Sequence, residues 1–223
     1  TSVSAQQFMS GSEQATELAF VGEGKISKTV DETIALRAKF LTEYQNSAYA
    51  KQYTDFVAKV RSAEQQHSHE FTGLTEAVAK YLFKLMAYKD EYEVARLYSS
   101  KAFLEQIENT FEGKVSIHMN LAPPLLAKKD ANGHLIKQEY GALALPAIKT
   151  LRHLKFLRGT AFDVFGKTDE RKMERALIED YKQSIETILP KLTISNHVQA
   201  VQFARLPEHI RGFGHVKEQH MAK

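Results

Sequence analysis

The sequence predicts a mainly α-helical fold, a multi-helix domain with a small β-hairpin inserted at about residues 114–140. Three observations predict it. Apolar residues recur at three- and four-residue steps through most of the chain after residue 26. Capping residues stand at the starts of these runs, and Gly or Pro closes them. The period drops to two in one stretch, Lys114–Leu121 (KVSIHMNL).

Residues 1–26, rich in Ser, Gln and Gly, are expected to form a flexible arm, and residues 27–223 a single helical domain. Thr29-Val-Asp-Glu32 spells a capping box ahead of Ile34, Leu36, Phe40, Leu41 and Tyr44. A second helix is expected over Ala48–Glu64, with Tyr49, Tyr53, Phe56, Val57 and Val60 on one face. Thr72 then caps a long third helix through Tyr98, because Tyr81, Leu85, Tyr88, Tyr92 and Ala95 fall on one stripe. Ser100–Glu112 reads as a short helix stopped by Gly113.

Next comes the hairpin. The strand Lys114–Leu121 ends at Pro123-Pro124, and Leu125–Lys129 and His134–Glu139 are expected to flank the turn Asp130-Ala-Asn-Gly133. Helix returns at about Pro146–Arg158 with Gly159 as the stop. Another runs over Asp169–Leu189 to Pro190, and Ser195 caps a last one through Leu206. No internal repeat is present.

Composition narrows the chemistry. The 223 residues include 43% hydrophobic side chains, enough for a sizeable core without covalent staples. There is no cysteine, which removes disulfides, thiolate metal sites and cysteine nucleophiles. The net charge of +3 is too mild to suggest a nucleic-acid binder. No signal-peptide pattern is visible, and the strongly apolar stretch Ala142–Ile148 is too short to span a bilayer. The expectation is therefore a cytoplasmic protein with neither nucleic acid nor membrane as partner.

The segment Ala161-Phe-Asp-Val-Phe-Gly-Lys-Thr168 departs from the P-loop pattern only at the first glycine. An autonomous nucleotide-binding protein using Lys167 and Thr168 is one reading. The context opposes it: Lys149–Arg158 has helical spacing where a P-loop needs a strand, and Asp163 would repel phosphate. The alternative is an inter-helix connection pinned by two buried phenyl rings.

Around this loop the cations are dense. Lys149, Arg152, Lys155 and Arg158 recur every three residues, beside Ile148, Leu151, Leu154 and Leu157. With Lys167, and with Arg211 and His215 of the tail, they form a candidate surface for an anion or an acidic partner. A solvated basic face is the competing reading. His67 and His69 are two residues apart in a polar loop without a third ligand nearby, so no metal site is assigned. Asp90, Glu93 and Arg96 read as an ion-paired ladder along a helix. No catalytic or cofactor-binding residue is assigned.

Four blocks in order carry a family likeness: LMAYKDEYEVARLY (85–98), HMNLAPPLL (118–126), LRGTAFDVFGKTDERKMERALIEDY (157–181) and LPEHIRGFGHVKE (206–218). Together they resemble the C-terminal region of the fused bacterial indolepyruvate ferredoxin oxidoreductases, members of the 2-oxoacid:ferredoxin oxidoreductases. The resemblance implies a parent enzyme that oxidatively decarboxylates aryl 2-oxoacids to acyl-coenzyme A. Thiamine diphosphate, iron–sulfur clusters, coenzyme A and ferredoxin would serve that parent. This chain would be its non-catalytic end, carrying no cofactor itself. Its implied partners are the catalytic domains and ferredoxin, with homo-oligomerisation arising through the parent.

Overall fold

The computed structural model describes residues 29–111, 118–121, 138–141 and 144–210. Among these, the chain is mainly α, as expected. Eight helices occur: α1 Val30–Tyr44, α2 Ser47–Gln65, α3 Gly73–Met86, α4 Glu91–Tyr98, α5 Lys101–Thr110, α6 Ala144–Leu151, α7 Asp169–Ile188 and α8 His197–Ala204. Strands β1 (Met119–Leu121) and β2 (Gln138–Tyr140) pair antiparallel, with Asn120 opposite Glu139. This corrects the expected partner of the second arm, which is Met119–Leu121 and not 125–129; the expected turn at Asp130–Gly133 and the stop at Gly113 lie outside the described residues.

The described residues group into two compact units, one of residues 89–166 and one of 29–88 with 167–210. The sequence treats 27–223 as one domain; the chain instead passes between units at 88/89 and 166/167. The first passage corrects the expected third helix. α3 ends at Met86, and a new helix begins after Asp90, whose carboxylate accepts from the Glu93 N–H at 2.8 Å. Aspartate in extended backbone is a strong helix start, so two helices share the single stripe the sequence presents. Tyr81, Leu85 and Tyr88 of that stripe are buried in one unit, Tyr92 and Ala95 in the other.

In the unit of α1, α2, α3, α7 and α8, the core is built from Phe40, Leu41, Tyr53, Val57, Val60, Leu74, Val78, Leu82 and Ile185, with Ala200 and Ala204 of α8. The capping box at Thr29 and Glu32 forms as expected. Buried tyrosines are tied by their hydroxyls: Tyr44 donates to Tyr88 O, Tyr53 to Ala79 O and Tyr181 to Ala204 O, at 2.8–3.0 Å. Burial pushes the Tyr53 phenol up to about 12, against the opposing pull of Arg37. Aromatic bulk and backbone satisfaction thus come from the same residues.

The start of α3 is answered from α2. Thr72 makes no side-chain cap. Instead the fully buried Glu64 accepts from Leu74 N at 2.7 Å, Thr75 N at 2.9 Å and the Thr75 hydroxyl at 2.5 Å. His197 Nε2 of α8 lies 2.6 Å from the same carboxylate, and its ring stacks on Phe71. A Cβ at Gly73 would stand 3.3 Å from Val201 Cγ2, so glycine there lets α8 close onto α3. The expected Ser195 cap is also corrected. Thr193 caps a short 3-10 turn over Ile194–Asn196, and α8 follows directly. No helix among the described residues is long and apolar enough to cross a membrane.

Burial alone would raise the Glu64 pKa, but its bonds from His197, Thr75 and the Leu74 and Thr75 backbones outweigh that and hold it low. A depressed carboxylate contributes stability above its unfolded value of about 4.3, and loses it as pH falls through the lower folded value. Glu64→Ala strands several buried donors and is expected to cost about 3–5 kcal/mol in urea unfolding. Glu64→Gln is expected to flatten the loss of stability below about pH 4. A wild-type acid slope in that variant would show that Glu64 does not carry it.

Candidate interaction surface

Residues 89–166 have a small apolar centre, Ala95 and Ile148 with Tyr98, Leu145 and Leu151 packed against them. Buried polar groups hold much of the rest. Arg158 Nε and Nη2 reach the two oxygens of Asp90 at 2.5 and 2.8 Å, both side chains buried. Asp90 thus caps α4 and anchors the end of the segment after α6. The Arg158 guanidinium also lies 5.5 Å from the Tyr92 ring centroid. Glu93, fully buried, takes both Nε and Nη2 of Arg96 at 2.8 Å, one rung of the expected ladder; Asp90 pairs with Arg158 in place of joining it. Burial nevertheless pushes the Glu93 carboxyl up, opposed by Arg96 and Arg158.

The loop that nearly spells a P-loop is organised by Asp163. Its Oδ2 accepts from Gly159 N at 2.8 Å, and its Oδ1 from Gly166 N at 2.9 Å and the Tyr92 hydroxyl at 3.2 Å. Burial first, and then the adjacent Asp163, push the Tyr92 phenol well above its ordinary value, keeping it a donor. The expected pair of buried phenyl rings is a correction. Phe162 is 76% exposed; Phe165 alone turns inward, edge-on to Tyr92 at 5.3 Å. A carboxylate satisfying two backbone N–H groups sets the loop path more firmly than one apolar contact could. Gly159, at φ +76°, turns the chain into this loop.

The segment before the loop is a 3-10 helix, Arg152–Leu157, and this alters the basic ribbon. Three residues per turn put i and i+3 in line, so Arg152, Lys155 and Arg158 form one ridge. Arg152 Nη1 donates to Ser99 O at 3.0 Å, and Arg158 is buried on Asp90. Those two are therefore structural ties, not free surface charge. Lys155 is half-buried, and Lys149 and Lys167 are exposed. Lys167 belongs to the other unit, and Arg211 and His215 lie outside the described residues. Thr168 caps α7 by accepting from Arg171 N at 3.4 Å.

What stands out instead is apolar. On residues 89–166, Phe156 is 58% exposed, with Val164 and Leu154 also open to solvent beside Phe162. On the other unit, Ile194 and Val198 are 65% and 63% exposed, and Leu206 and Phe203 continue along α8 and the turn after it. Large exposed apolar groups close together along the chain are candidates for contact surfaces. Sequence reasoning missed both, because periodicity assigns such residues to a core. It also missed Asp163, although an acid set between glycines in an apolar loop was a usable signal. His67 is half-buried and His69 exposed, and neither is joined to a third ligand among the described residues.

The Asp163→Ala variant removes one acceptor from three donors and is expected to cost about 2–4 kcal/mol in chemical unfolding. Hydrogen exchange at Gly159 and Gly166 should accelerate with it. Unchanged protection would overturn the assignment. Mg-ATP is expected to leave the melting temperature of the chain unmoved, since those backbone N–H groups already serve Asp163.

The chain belongs to DUF6537, a family of unknown function whose model matches residues 30–223. No curated protein and no solved structure matches it.

Proposed function

We propose that this DUF6537 chain is a non-catalytic structural and interaction domain of a cytoplasmic 2-oxoacid:ferredoxin oxidoreductase acting on aryl 2-oxoacids. The four ordered blocks at 85–98, 118–126, 157–181 and 206–218 motivate the choice of enzyme. Conspicuous residues within them have structural work: Asp90 and Thr168 cap helices, Glu93 and Arg158 are paired, and Asp163 shapes a loop.

The observation that carries the interaction role is the exposed apolar face of α8 and its flanking turns, formed by Ile194, Val198 and Leu206. It sits on a unit whose own core is already closed by Ala200 and Ala204 from the same helix. Large apolar groups left in water around a helix whose inner side is already packed mark a surface for a partner. Its natural cover in this reading is the catalytic part of the parent enzyme. The parent's iron–sulfur clusters do not fit this chain, which has no thiolate to ligate them. Thiamine diphosphate and coenzyme A chemistry would likewise proceed in the catalytic domains.

Val198→Asp combined with Leu206→Asp tests the reading. In the isolated chain both positions are exposed, so the melting temperature should move by no more than about 2 °C. In the parent enzyme the same pair should lower its thermal stability and its turnover with an aryl 2-oxoacid by about tenfold. Full activity and stability of the parent variant would sink the proposal.

A further inference from the structure

We infer that the apolar tips of residues 153–164 dock onto an anionic lipid surface. This concerns residues 89–166 alone, uses nothing of α8, and stands apart from the enzyme reading. The 3-10 geometry supplies the first observation. With Arg152 and Arg158 tied to Ser99 and Asp90, the neighbouring ridge of His153 and Phe156 faces water. Leu154 borders it. After Gly159 the chain turns, and Phe162 and Val164 stand out on either side of the buried Asp163. A side chain 76% exposed projects from its surroundings. Its backbone is held by the Asp163 bonds to Gly159 and Gly166, so the projection belongs to the folded state.

Charge supplies the second observation. Between Gly141 and Thr168 the sole carboxylate is Asp163, and it is buried. The exposed part of this stretch therefore presents apolar groups and cations: Lys149 outright and Lys155 in part. Within this stretch, exposed phenyls and cations without an exposed acid match an anionic bilayer interface, where rings enter the acyl boundary and cations remain among the headgroups. An acidic soluble protein satisfies the charge but must also supply a shaped apolar cleft for Phe162. A bilayer supplies the apolar medium without one.

The chain has no tryptophan, so Phe162→Trp creates a single reporter of the environment at the tip. With vesicles of phosphatidylcholine containing about one-third phosphatidylserine, its emission should shift to the blue and the chain should co-sediment. Pure phosphatidylcholine should bind about tenfold less. Phe156→Ser with Phe162→Ser should weaken binding about tenfold or more, and Lys149→Glu with Lys155→Glu should abolish the preference for phosphatidylserine. All but the half-buried Lys155 are exposed positions, and thermal melts verify that each variant is folded. The inference is overturned by an unshifted reporter, or by binding that the phenyl variants leave intact. It is equally overturned if poly-glutamate binds as tightly as the vesicles, the result expected of a surface for soluble acidic partners.

Discussion

A helix start leaves backbone N–H groups without partners, and they cannot be buried bare. Both units depend on carboxylates that answer this demand from inside the protein. Glu64 reaches from α2 to the first turn of α3 and there also meets His197 of α8, so three helices converge on one side chain. Asp90 caps α4 while taking both nitrogens of the Arg158 fork. An acceptor-only group with two oxygens can serve a helix start and a second element together. That double service makes these acids worth the cost of burying them.

The same economy explains the loop at 159–166. A chain turning between a 3-10 helix and a long α-helix must satisfy its backbone without secondary structure. Asp163 does so for Gly159 and Gly166, and the Tyr92 hydroxyl attaches the result to α4. Once a carboxylate holds the path, the flanking side chains are released from packing. Phe162 and Val164 consequently face outward, and a segment resembling a phosphate cradle becomes a rigid support for apolar tips.

Much of the helical architecture was legible because it rests on local rules. The capping box at Thr29, the aspartate-led start of α7 and the stops at Gly159 and Pro190 follow from backbone chemistry within a few residues. The break at 87–90 was not legible, since Tyr81 to Ala95 keep a helical stripe across it. Only burial in two different bodies distinguishes the halves. The basic ribbon misled for a related reason. Spacing locates charges along a helix but says nothing about Ser99 or Asp90, the partners that draw Arg152 and Arg158 inward.

By itself, then, the sequence determined the mainly helical class, most helix ends, and the presence of a short β element in the middle of the chain. Those features depend on period, caps and order along the chain. Tertiary structure decided the division into two units, which acids are buried, and which apolar residues remain in water. Burial is set by neighbours tens of residues away, as with Asp90 and Arg158, 68 apart, or Glu64 and His197, 133 apart. Local patterning cannot specify such meetings; packing does.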